Sequence, residues 1–340
     1  MCPTFTDFRV HLGCSVVLAL MLVAGACGAD DAPQPESVAE VASAEGLLPY
    51  EEPAAASTTV PASTTVPAST TTPTSTAAPV PAPASIPIEP KEGWELAWHD
   101  EFDADRIDPS NWTFDIGGWG WGNGEAQYYT SRPENARVEN GLLVIEARQE
   151  KFENSYYTSA RLISQGLREF QYGRFEARLK VPEGAGLWPA FWMLGANFDR
   201  STDNPTDSNW PFVGEIDIME YIGREPDLIM GTIHGPGYAG AIGLTKWNRQ
   251  DYPIADDFHT YAIEWDFDGI RWFYDGELYS TRNRGDVGKR DWVFDHDFFL
   301  VLNLAVGGQF PGPIGLDVEF PRHLYVDYVR VYQPIPDAAN

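Results

Sequence analysis

The sequence predicts an all-β fold, one large sandwich or jelly roll occupying residues 89–340 of the 340-residue chain. From Trp94 onward, short runs alternate apolar and polar residues with period two, and Gly, Pro, Asn or Asp interrupts them about every 8–12 residues. No segment of helical length carries an amphipathic stripe with caps. At 43% hydrophobic and 13% aromatic the chain can bury a core, which excludes wholesale disorder. Sandwiches and barrels of this kind run to about 250 residues without splitting into two domains.

Taken in order, the first element is an export signal over residues 1–27. Arg9 precedes an apolar run from Leu12 to Ala26. That run is too short for a bilayer, which takes roughly 20 apolar residues, and no other stretch approaches that length. It reads as the h-region of a secretory signal. Two processing sites compete. Ala24-Gly25-Ala26 is an A-x-A cleavage signal, and the same residues followed by Cys27 resemble a bacterial lipobox, in which the cysteine is lipidated and becomes the new N-terminus. The acidic, proline-rich tether that follows favours a lipid on Cys27.

Residues 28–88 are a Ser/Thr/Pro-rich linker, with STTVPA at 57–62 and again at 63–68, then STTTP at 69–73. Such low-complexity sequence favours extended polyproline-II conformation and cannot bury enough apolar surface to offset its ordering entropy. It is expected to act as a semi-rigid, disordered stalk. All three cysteines (Cys2, Cys14, Cys27) precede residue 89, and all 12 Trp follow it. The folded part therefore has no disulfide, no thiolate metal site and no cysteine nucleophile.

Within the folded part, runs at 141–148, 173–181, 260–265 and 270–274 read as strands. Asp268-Gly269 and Asp275-Gly276 supply the positive φ angles of tight hairpins on either side of the last run. The 50 acidic against 23 basic residues give a net charge of −27. A field of that sign repels phosphates, so nucleic acid and anionic membrane surfaces are poor partners and a neutral substrate fits better.

The residues with the most chemistry lie on one strand, 213–221 (VGEIDIMEY). Glu215 and Asp217 share a face, while Ile216 and Ile218 point to the opposite, core side. Strict alternation would put Met219 rather than Glu220 beside the acids; one extra residue, taken up as a β-bulge, restores Glu220 to their face. An exposed acidic strand face would carry a similar string. The chemical alternative is a carboxylate pair flanking a glycosidic bond, one as nucleophile and one as acid/base, with Asp217 between them tuning the two pKa values apart. A metal cage is a third option, although three acids along one strand without a turn make a poor one.

The surroundings support the glycosidic reading. Trp188 and Trp192 in 187–192 (LWPAFW) could be sugar platforms or core residues. The segment 119–129 (WGWGNGEAQYY) is aromatic, glycine-rich and suited to a cleft rim. His234 stands on a neighbouring strand, in a supporting role.

Together these motifs, with 157–161 (YTSAR) and 326–332 (VDYVRVY), resemble glycoside hydrolase family 16, and within it the laminarinase-like endo-β-1,3-glucanases. The resemblance spans roughly residues 94–333 and implies a curved, concanavalin-like jelly-roll sandwich with the acids on its concave face. It implies Glu215 as nucleophile, Glu220 as acid/base and Asp217 as their assistant, in a mechanism that retains anomeric configuration. Retention needs the two carboxyl groups about 5–5.5 Å apart. The longer E-x-D-x-x-E form is that of laminarinases, agarases and carrageenases, not of lichenases. Asn123, Arg161, Trp188 and Trp192 would contact sugar. Phe310 departs from the commonest laminarinase pattern, which has Trp there.

The resemblance also implies a structural Ca²⁺ on the convex face, held by Glu101, the carbonyl of Gly141 and Asp327, with no cofactor required for the chemistry. Two other functions fit the same motifs: a non-catalytic β-glucan-binding sandwich, and a hydrolase or transglycosylase of another polysaccharide. The overall expectation is an exported, monomeric bacterial enzyme acting on a polysaccharide, touching a membrane only through its lipid anchor.

Overall fold

A computed structural model of the chain describes residues 86–201 and 208–336. The export signal, Cys27 and the stalk up to residue 85 lie outside the described residues. Three 3₁₀ turns are the only helical elements among the described residues, and strands provide the rest of the regular structure.

Two sheets enclose the core. The ten-stranded sheet runs β16 (Glu277–Asn283), β15 (Gly269–Tyr274), β14 (His259–Trp265), β9 (Gly173–Lys180), β18 (Arg322–Pro334), β5 (Leu142–Phe152), β6 (Ser155–Ser159) and β3 (Gln127–Tyr129). Beside this path β1 (Trp94–Asp100) pairs with β18 and β4 (Ala136–Glu139) with β5. The eight-stranded sheet runs β13 (Lys246–Arg249), β12 (Leu228–His234), β11 (Glu215–Tyr221), β10 (Leu187–Gly195), β17 (Phe298–Val306), β7 (Arg161–Ile163) and β2 (Thr113–Phe114), with β8 (Glu169–Phe170) beside β17. Nearly every pairing is antiparallel, and β3 with β6 is parallel. This is the sandwich that the alternating runs predict.

Alternation decides what each sheet buries. On β9, Phe175, Ala177 and Leu179 enter the core, while Arg174, Glu176 and Arg178 face outward. Outside the core, Arg174 meets Glu176 of its own strand at 2.7 Å and Glu264 of β14 at 3.1 Å, so opposite charges neutralise each other along and across strands. Strand β17 is buried along its whole length. Phe298, Leu300, Leu302, Leu304 and Val306 join the main core. Its other face, Phe299 and Val301, packs with Ile163, Leu194 and Val213 in a second cluster under Trp192 and Trp210. The outer face of the eight-stranded sheet therefore has an apolar floor, and the acids stand beside it.

Candidate active site

Strand β11 carries the three acids. Asp217 pairs with Thr232 on β12, and the next pair is Glu220 with Met230. Three steps on β11 thus match two on β12, which is a β-bulge at Ile218-Met219. Both bulged side chains are buried in the core, so the extra residue returns Glu220 to the face of Glu215 and Asp217. The bulge is held from the opposite sheet, where the Trp272 indole N–H donates to the Asp217 carbonyl at 2.8 Å. Gly231 makes room for that indole, since a Cβ there would lie 2.4 Å from Trp272 Cδ1.

Each acid has its own partners. Glu215 accepts from the Trp210 indole at 2.7 Å through Oε2, and its Oε1 lies 3.8 Å from His234 Nε2. Asp217 Oδ2 is 3.1 Å from the same His234 nitrogen. Glu220 accepts from Trp188 at Oε1 and from the Thr232 hydroxyl at Oε2, both at 3.2 Å. Burial pushes all three carboxyls above the usual range, and repulsion from neighbouring acids adds to it. Burial alone would lower the pKa of His234, but Glu215 and Asp217 reverse this and raise it to about 9. The imidazolium is thus the local counter-charge. The ligand atoms of Glu215, Asp217 and His234 lie within 4.8 Å of one another.

One side of the acids is lined by the other residues that the sequence singles out. Arg161 lies between the rings of Trp121 and Trp192, 4.8 and 4.7 Å from their centroids, and pairs with Asp115 at 3.0 Å. Trp192 is only partly buried and donates to Asn303 at 2.7 Å. The Asn123 carbonyl accepts from the Gln309 N–H at 2.7 Å and ties the two rim loops together. Phe310 packs edge-on against Trp188 with centroids 5.1 Å apart. His234, expected in a supporting role, touches the acids themselves.

Sequence reasoning missed several groups. Trp210 has a weak local signal, five residues before Glu215. Thr232 and Trp272 have none, because their partners are 12 and 55 residues away. Glu125 was visible only as part of a rim motif. It accepts from Gln127 at 2.6 Å and from Tyr129 at 3.3 Å, and burial raises its pKa to about 7 against those hydrogen bonds.

On the ten-stranded sheet, β5 pairs with residues 322–326 of β18 and β1 with residues 329–334. Glu101, Gly141 and Asp327 therefore meet where those two strands abut. Glu101 is bidentate to Arg330, at 2.9 and 2.7 Å, and Asp327 binds Arg178 at 2.8 Å. The oxygen donors suit Ca²⁺ by type, and an ion there would share both carboxylates with arginines.

The sequence profile of glycosyl hydrolases family 16 matches residues 96–307. A β-glucanase of Rhodothermus marinus is 49% identical over 71% of this chain and 85% of its own length. A glucan endo-1,3-β-glucosidase of Cryptopygus antarcticus is 39% identical, over 64% of this chain and 83% of its own. Among solved structures, the laminarinase catalytic domain of Thermotoga maritima superimposes with a TM-score of 0.67 at 44% identity, covering 72% of this chain and all of that one (100%).

Proposed function

The chain belongs to glycosyl hydrolase family 16, and from that premise we propose that it is a retaining endo-β-1,3-glucanase. The observation that carries the reading is the bulged strand, which puts Glu215, Asp217 and Glu220 on one face with a different partner for each. Its closest fit in substrate is a laminarin-like glucan, the class on which the relatives above are named to act.

Glu215 attacks the anomeric carbon while Glu220 passes its proton to the departing glycosidic oxygen. The sugar is then held as an ester on Glu215. Glu220, now ionised, takes a proton from the attacking water, and the ester opens with net retention. The Trp210 N–H keeps one oxygen of Glu215 in place, and His234 stabilises its ionised form. Asp217, bound to His234, adds negative charge that keeps the proton on Glu220.

The decisive experiment offers laminarin, lichenan, agarose and carrageenan to wild type and Glu215→Gln. Laminarin should be cleaved by the wild type and left intact by the variant, with the β-anomer appearing first by NMR. Turnover that survives in Glu215→Gln would overturn the mechanism, and an inert wild type would favour the non-catalytic glucan-binding alternative. We further propose export, with a lipid on Cys27 and a Ca²⁺ at Glu101, Gly141 and Asp327. Radiolabelled fatty acid should enter the wild type and not Cys27→Ser; a wild type without label rejects the anchor.

A further inference from the structure

Two carboxylates that act on opposite faces of one glycosidic bond require the polymer to pass between them. Glu215 and Glu220 are separated along β11, so the polymer crosses the strands of the eight-stranded sheet. One limb of its path lies over β10, β17 and β7, where Trp188, Trp192 and Arg161 are found. The other limb must leave over β12 and β13.

Register identifies what it meets there. Glu220 pairs with Met230 and Met230 with Trp247, so the three side chains form a row on the outer face of the sheet. Trp247 lies two strand spacings from Glu220, roughly 10 Å. Its neighbours in sequence confirm the orientation. Thr245 is on the acids' face, because its hydroxyl lies 3.1 Å from the Thr232 hydroxyl that donates to Glu220. Asn248, of opposite parity, lines a cavity with Tyr274 and Tyr279 of the other sheet.

Trp247 is 51% exposed on a short edge strand, where sequences ordinarily avoid large apolar groups. The backbone on both sides of it is anchored. Arg282 donates to the carbonyls of Leu244 and Thr245, and Arg249 binds Glu225 at 3.0 Å as well as Asp227. An exposed indole on an anchored strand, in line with the acid of the proposed mechanism, suits the apolar face of a pyranose.

We propose that Trp247, with Thr245 beside it, is a second glucan-binding platform that holds the polymer on the side of the acids away from Trp192 and Arg161. The proposal rests on the glucanase reading and extends it to longer chains than the acids alone would select. The test compares wild type, Trp247→Ala and Trp247→Phe on β-1,3-glucan oligosaccharides of increasing length and on laminarin. Trp247→Ala should lose about tenfold in kcat/KM on the long substrates, mainly through KM, with little change on the shortest one cleaved. Trp247→Phe should recover most of the loss. Equal activity of wild type and Trp247→Ala at every length, or an equal loss at every length, overturns the platform. A wild type inert on all of these glucans overturns the glucanase reading instead, and with it the platform's ligand.

Discussion

Glu220 accepts a hydrogen bond at each oxygen, and both bonds favour its ionised form. Removing one must therefore raise its pKa. In the mechanism above Glu220 has to be protonated at the outset, so its pKa sets the alkaline limb of the pH–rate profile. Thr232→Val should move that limb of kcat/KM to higher pH while leaving the acidic limb, set by Glu215, in place. A profile that moves downward, or moves at both limbs, would contradict the assignment of Glu220 as acid. Legibility at this scale follows distance along the chain. Glu215 and Asp217 reveal themselves by a two-residue spacing, and Glu220 by a single bulge. Thr232 is one ordinary threonine on a strand, and nothing local marks it as a partner of an acid.

At the scale of the element, the bulge on β11 depends on a contact between sheets. Trp272→Phe stays aromatic but removes the N–H with the five-membered part of the indole, leaving the buried Asp217 carbonyl without its partner and a small cavity beside it. A loss of about 1–3 kcal/mol is expected in urea unfolding. Because that carbonyl belongs to the bulge, activity should fall as well, under conditions where the variant is fully folded. Stability lost with kcat/KM unchanged would show that the bulge holds without the indole. The strands themselves were readable, since alternation with a core side is a local property and glycine turns punctuate it. The bulge was readable only as a need, and its clamp was not, because Gly231 and Trp272 become neighbours through sheet packing alone. Trp247 was missed for a related reason: four-residue β13 is too short, and too exposed, to show a period.

Across the molecule, Glu101, Gly141 and Asp327 lie at the end of β1, just before β5 and in the middle of β18, three segments far apart in sequence that strand pairing brings side by side. If Ca²⁺ is held there, a chelator should lower the melting midpoint of the wild type, and Asp327→Asn should remove most of that response. A midpoint indifferent to chelation rejects the ion and leaves Arg178 and Arg330 as the partners of those acids. The net charge of −27 shows how far composition reaches: it disfavours polyanionic partners and says nothing of which acids react.

Arg330 has a second task besides Glu101, for its Nη2 also donates to the carbonyl of Ile86 at 2.7 Å. That side chain, itself buried, stands on the face of the ten-stranded sheet away from the core, while Val329 and Val331 beside it enter the core. The first described residues are thereby fastened to the back of the sandwich, behind the sheet that bears Glu215 and Glu220. A pull on the chain at residue 86 would load this clasp first, on the side of the sandwich away from Glu215 and Glu220.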